Sequence, residues 1–218
     1  MAQYGAEYFR GYTEKREAIQ DLYFKYLKWA DLLNGRGKTA LDVGAAFGYV
    51  VELLSKLGYD AVGIDISPYA CSKSTHVILG DVHSLPFKSN SFDLITCLEV
   101  IEHLANPIIA LSRFHDLLKH EGILLMITPT LLGEKATRKF FRNYPHYSGD
   151  FKSTEQLRDA YHPSIKHWND WIKILFASSF KEIRWRHFNL TPILLGKYRV
   201  MTSPSMFAIR IAIKATKP

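Results

Sequence analysis

Three residues of the stretch LEVIEHLANP, Glu99, Glu102 and His103, stand at positions i, i+3 and i+4. On a helix that spacing places all three on one face. Two carboxylates and an imidazole gathered in this way have two chemical uses. They ligate a divalent metal, or they orient a hydroxyl or carbon acid and take its proton so that it becomes a nucleophile. The metal use needs a further ligand, for which His146, His162 and His167 are the downstream candidates. Proton transfer needs no such partner, so Glu102 and His103 are acid–base candidates and no metal site is expected.

A second group of residues suits ligand binding. LDVGAAFGYVVELL reads as an apolar strand ending in Asp42, a turn of small residues with Gly44, Ala46 and Gly48, and a helix from about Tyr49. Small residues let a ligand approach the backbone, and the helix start offers unpaired N–H groups and a partial positive charge to an anion. The dinucleotide pattern Gly-x-Gly-x-x-Gly, counted from Gly44, demands glycine where Tyr49 stands, which argues against a nicotinamide dinucleotide. Asp65 ends a second strand in GIDIS, 21 residues after Gly44, where a carboxylate can accept both hydroxyls of a ribose. Asp81 follows a third strand in GDVHSLPF, and SFDLITCLEVIEHL supplies a fourth strand and its loop. Acidic residues at the carboxyl ends of successive strands converge on the crevice where open α/β sheets bind ligands.

This order of motifs, Asp-x-Gly-x-Ala-x-Gly and then Asp65, Asp81 and the strand-four loop, resembles the class I S-adenosylmethionine-dependent methyltransferases. The likeness is to the type 11, quinone-pathway O-methyltransferase-like members, with Ala46 in place of the usual middle glycine. It is close over about residues 39–129 and loose over the strands after 180. It implies S-adenosyl-L-methionine as cofactor, held by Asp42, Gly44, Ala46, Gly48, Asp65, Ile66, Asp81, Val82, Leu98 and Glu99. Asp65 would take the ribose, Asp81 the adenine amino group with Val82 beside the ring, and the strand-four loop the methionine part. His162, in RDAYHPS, matches the place where many small-molecule members set a histidine near the acceptor, so the catalytic candidates are His103, His162 and Glu102. Two subgroups share the Glu-x-x-Glu-His stretch: small-molecule O-methyltransferases of quinone pathways, and small-RNA 2′-hydroxyl methyltransferases that use it to ligate metal. Methyl transfer to a small molecule, anionic or lipid-like, with O-methylation favoured, is the expected function. RNA methylation is the first alternative. A non-catalytic partner subunit is the second, opposed by the intact acids at 42, 65 and 81.

The elements that must position these residues follow from pattern. Strand-like runs at about 39–43, 61–64, 77–80, 92–98, 122–128, 180–188 and 206–214 alternate with helical stretches, which predicts an α/β, Rossmann-like fold. Its sheet should be seven-stranded and mostly parallel, with an antiparallel last strand. Glu14 to Leu33 puts Ala18, Ile19, Leu22, Tyr26, Trp29 and Leu33 on one stripe, an amphipathic helix packed on the core. Asn106 and Pro107 open a helix to about Lys119, with Gly122 after its end. Trp168 to Ser178 reads as another. The aromatic stretch YGAEYFRGY is expected to pack on the first helix, with a cover over the cofactor as its other reading.

At 218 residues and roughly 150 residues per domain, one domain is expected: an N-terminal cap helix over 1–38, a cofactor-binding core over 39–129, a lid over 130–166 and a completion of the sheet over 167–218. Residues 1–133 hold 12 Lys+Arg against 15 Asp+Glu, and residues 134–218 hold 16 against 6. The basicity is therefore local, and it suits an anionic acceptor or RNA, or else a wet surface. The longest apolar run, Ile123 to Ile127, is far short of the ~18 residues of a membrane span. Cys71 and Cys97 have no Cys-x-x-Cys spacing, and with no signal-like leader a cytoplasmic location is expected. Nothing in the pattern sets the oligomeric state.

Overall fold

The computed structural model describes residues 4–131, 163–164, 166–193, 197–202 and 210–218. The elements lie in the order α1 (Arg16–Trp29), β1 (Thr39–Val43), α2 (Tyr49–Lys56), β2 (Asp60–Asp65), α3 (Pro68–Cys71), β3 (Val77–Leu79), β4 (Phe92–Leu98), α4 (Pro107–Leu117), β5 (Leu118–Pro129), α5 (Trp168–Ala177), β6 (Lys181–Ile193), β7 (Lys197–Thr202) and β8 (Arg210–Thr216). The strands form one sheet in the order β3-β2-β1-β4-β5-β8-β6-β7. The first five pair in parallel, and β8 runs antiparallel between β5 and β6. All seven expected strands are present. An eighth, β7, pairs antiparallel with the far end of β6 and extends the edge.

Alternation along the strands separates two cores, as a sheet covered on both faces requires. Leu41, Ile95, Cys97, Leu124, Met126 and Ile213 face α4 and α5, meeting Leu111, Phe114, Trp171 and Leu175. Ala40, Leu94, Leu125, Ile127 and Ala212 face α1 and α2, meeting Tyr26, Leu27, Val50 and Leu54. The α1 stripe is therefore real at Tyr26 and its neighbours, while Ile19 joins a separate aromatic cluster.

Local rules explain where helices start. Ser67 caps α3, its hydroxyl oxygen accepting the N–H of Ala70 at 3.0 Å, with Pro68 as first helical residue. Asn106 and Pro107 do open α4, but the asparagine side chain makes no capping bond. Helix α4 also ends earlier than its spacing suggests, passing at Leu118 directly into β5, so that Gly122 lies inside a strand. Among the described residues no helix is long and apolar enough to cross a membrane.

Strand β1 has β2 on one side and β4 on the other, and the chain order runs outward from it in both directions. Such a reversal leaves a crevice at the carboxyl ends of the two central strands. The loops after β1, β2, β3 and β4 all open onto it.

Candidate active site

Both sides of this crevice are built from left-handed backbone. Gly44, just after β1, has φ +71°, and a Cβ there would lie 2.2 Å from a Val100 methyl, so only glycine fits. Ala46 has φ +48° and Glu99, just after β4, φ +59°, conformations that cost a non-glycine residue about 1 kcal/mol or more. Asp65 fixes the glycine turn: its Oδ2 accepts the Ala46 N–H at 2.8 Å and its Oδ1 accepts the Ser67 N–H at 2.8 Å. Gly48, with φ +79°, starts α2.

The crevice encloses a cavity of about 360 Å³. Val43, Gly44 and Ala46 line it from the glycine turn, Asp65, Ile66, Asp81 and Val82 from the ends of β2 and β3, and Leu98, Glu99, Val100, His103 and Leu104 from the end of β4. Ile66 is 45% exposed although apolar, which gives the cavity wall a flat apolar surface. Asp81 is half exposed and accepts both the backbone N–H and Nδ1 of His83, at 2.9 and 2.8 Å. That backbone bond holds its carboxyl below the usual range. Burial raises Asp65, against the pull of the N–H groups that bond it.

The N-terminal segment closes the cavity. Tyr4, Tyr8, Phe9 and Tyr12 all line it, and they form a cluster with Phe47, Tyr49 and Tyr69 that Ile19 of α1 also joins. Tyr12 stacks on Tyr49 at 5.5 Å, and Phe9 packs on Phe47 at 5.1 Å. Ser67 donates its hydroxyl to the Tyr4 carbonyl at 2.6 Å, tying this segment to the β2 loop. The expected packing on the first helix is therefore met only at Ile19; most ring contacts go to the aromatic surface that the glycine turn and α3 present, in line with the other reading of this stretch as a cover. Tyr23, from α1, completes the wall and was not anticipated. An aromatic residue beside the stripe was its only signal.

The expected single face of Glu99, Glu102 and His103 does not form. Only Ile101–His103 is helical, as one 3₁₀ turn, and the left-handed Glu99 turns away from it. Glu99 pairs with Arg210 of β8 at 2.7 Å. Glu102 is 1% exposed, accepts the Thr128 hydroxyl at 3.1 Å, and is raised well above the carboxylate range by burial and then by the charge of Glu99. It is absent from the cavity lining, which His103 joins. Asp42 also lies behind the wall: it is buried, accepts the Thr96 hydroxyl at 2.6 Å across the β1–β4 register, and is pushed by burial up to about 7. It borders a small recess shared with Tyr12 and Tyr23. Among the described residues no group of three His, Cys, Asp or Glu is placed to hold a metal. His167 bonds Asn169 on the surface, and His146 and His162 lie outside the described residues, as does most of the expected lid.

Acidic, aromatic and half enclosed, this cavity suits a ligand with a flat ring, neighbouring hydroxyls and positive charge. The comparisons with known proteins agree. Residues 41–126 match the family described as Methyltransferase domain. A ubiquinone biosynthesis O-methyltransferase of Glaesserella parasuis is 31% identical over 114 residues, which are 45% of this chain and 48% of that one. One of Pseudomonas paraeruginosa is 30% identical over 50% and 53%. The chain thus aligns with about half the length of these curated relatives. A solved SAM-dependent methyltransferase of Thermotoga maritima superposes with a TM-score of 0.69 at 18% identity, over 97% of this chain and 98% of that one. The family and the fold together imply S-adenosyl-L-methionine as the cofactor.

Proposed function

We propose that this chain, by its matched domain and its fold a class I S-adenosylmethionine-dependent methyltransferase, methylates a small-molecule acceptor, with a hydroxyl as the favoured target. One observation carries the reading: Asp65, Asp81 and Glu99, which follow or end β2, β3 and β4, line a single cavity with Gly44, whose missing Cβ keeps the backbone open. When bound, the cofactor supplies a methyl group on a sulfonium, already electrophilic enough to need no covalent intermediate. The residues have only to bind, align and exclude water.

Asp65 is suited to the ribose. A carboxylate has about four acceptor positions, and backbone N–H groups fill two of them, one on each oxygen, which orients the rest. Ile66 and Val82 offer apolar surface for the adenine beside Asp81. Leu98 and Glu99 face the methionine end. The tyrosines of the N-terminal segment exclude water from the top. In this reading residues 39–129 are the cofactor-binding core of a single domain, covered by 1–38 and completed by 167–218.

His103 is proposed to take a proton from the acceptor; its lining of the cavity beside Leu104 and Ala105 supports this. Glu102 is better suited to holding the loop. Its backbone carbonyl accepts the Ser164 N–H at 3.1 Å, and Ser164 donates its hydroxyl to the Leu104 carbonyl at 2.5 Å. Those two bonds tie Ser164 to the His103 loop; His162, outside the described residues, stays a candidate by the sequence resemblance alone. Because Glu99 and Glu102 already bond Arg210 and Thr128, catalysis is proposed to be metal-independent.

The likeness to ubiquinone O-methyltransferases favours a hydroxylated ring as the acceptor. Incubation with labelled cofactor and a pool of phenolic and other small metabolites, followed by mass spectrometry of the products, tests this. A labelled small molecule whose yield drops in His103→Ala is the expected result. Label appearing only in added RNA, with binding that weakens steeply with salt at a log–log slope beyond about −4, would replace this reading by RNA methylation.

A further inference from the structure

The cavity lining is one-sided in charge. It holds the carboxylates of Asp65, Asp81 and Glu99, and no Lys or Arg among the described residues. Its two imidazoles are His83, bonded to Asp81, and His103. Five aromatic side chains complete it. Tyr8 is held between two of them, edge-on to Tyr4 at 5.1 Å and to Phe9 at 4.9 Å. Half-buried, it lines the cavity that Asp65 and Glu99 share, which spans the ends of β2 and β4. With the ribose at Asp65 and the methionine part at Glu99, the sulfur that joins them lies in that span.

We propose that this aromatic wall, with Tyr8 at its centre, makes the site select the charged sulfonium of S-adenosylmethionine over the neutral thioether left after methyl transfer. The inference rests on the cofactor assignment above. Cofactor and spent product share every contact to adenine, ribose and amino acid, and differ only in one methyl group and one positive charge. An aromatic face attracts a cation through its quadrupole, and carboxylates add attraction that a partly dry cavity screens poorly. Neither acts on a thioether. Glu99 is partly neutralised by Arg210 at 2.7 Å, which leaves the ring as the larger contributor.

Titration calorimetry of the wild type with S-adenosylmethionine and S-adenosylhomocysteine reads this directly. Binding of the sulfonium form about 3- to 30-fold tighter is expected, the range of one to two cation–π contacts. Tyr8→Phe keeps that ratio, because the ring and not the hydroxyl is responsible. Tyr8→Leu brings the ratio close to one by weakening the sulfonium form, with the thioether changed less than about twofold. Tyr12→Leu, carried alongside with thermal unfolding of each protein, shifts the ratio the same way and stands in if Tyr8→Leu fails to fold. A wild type that binds the thioether equally or more tightly overturns the proposal, as does a Tyr8→Leu protein that loses both ligands alike. Binding of neither ligand to the folded wild type would instead remove the cofactor assignment, and this inference with it.

Discussion

The two sides of the sheet use charge and aromatic rings in opposite ways. On the parallel side, carboxylates stand at the ends of β2, β3 and β4 around an open cavity, and aromatic rings from the N-terminal segment cover them. On the antiparallel edge the cations serve the fold: Lys214 donates to the Ala30 carbonyl at 2.7 Å, Lys217 to the Leu118 carbonyl at 2.8 Å, and Arg184 meets Asp31 on the surface. Trp168 stacks on Trp185 at 5.7 Å and meets His187 edge-on, which pins α5 to β6. Left-handed residues divide similarly. Gly44, Ala46 and Glu99 border the cavity, whereas Ser179 and Glu182 only turn the chain from α5 into β6. Asp31, Asn90 and Glu121 are left-handed too, away from the cavity, so backbone conformation alone does not mark the site; the raised carboxyls of Asp42, Asp65 and Glu102 do gather in and behind its wall, where such costs are tolerated. The Arg210–Glu99 pair joins the two sides.

The largest expected effect is at the glycine turn. Gly44→Ala combines a left-handed φ with a clash against Val100, so S-adenosylmethionine binding should fall below detection in calorimetry. Retained binding would show that the turn does not shape the site. Asp42 comes next, through pH. Its carboxyl titrates near 7 when folded, against about 3.9 unfolded. The folded state therefore binds more protons between those values, and stability falls as pH rises from about 4 to 7, by up to about 4 kcal/mol. Asp42→Asn keeps an acceptor for Thr96 and should flatten that slope. Urea unfolding at several pH values checks it, and an unchanged slope in the variant would contradict the assignment.

Asp65→Asn should weaken the cofactor by about 1.5 to 3 kcal/mol, the usual loss for a charge-assisted bond. Trp185→Ala, on the other side of the comparison, should lower stability by about 1 kcal/mol through the lost stack while cofactor affinity stays within about twofold. A large affinity loss there would mean that the antiparallel edge shapes the site directly.

Much of this division was legible in the amino-acid order. Strands β1 and β4 begin and end where their apolar runs do, because both faces are buried and the run itself is the strand. Asp65, Asp81 and Gly44 were legible because a strand end fixes where the next residue points. Glu102 and Tyr8 were not. The Glu-x-x-Glu-His spacing suggests one helical face, yet a single 3₁₀ turn after a left-handed Glu99 sends the acids elsewhere. The destination of the N-terminal tyrosines depends on Phe47 and Tyr69, more than thirty residues on, and no local period reports that. Strand β7 was missed as well, because an edge strand has one neighbour and needs little apolar patterning.

The most direct test is a single calorimetric comparison on the folded wild type: S-adenosylmethionine against NAD, with Asp65→Asn run in parallel. Micromolar binding of S-adenosylmethionine, no heat from NAD, and an affinity about 10- to 100-fold lower in the variant are expected. Binding of NAD with no response to S-adenosylmethionine, or equal affinity in the variant, would contradict the assignment of this cavity.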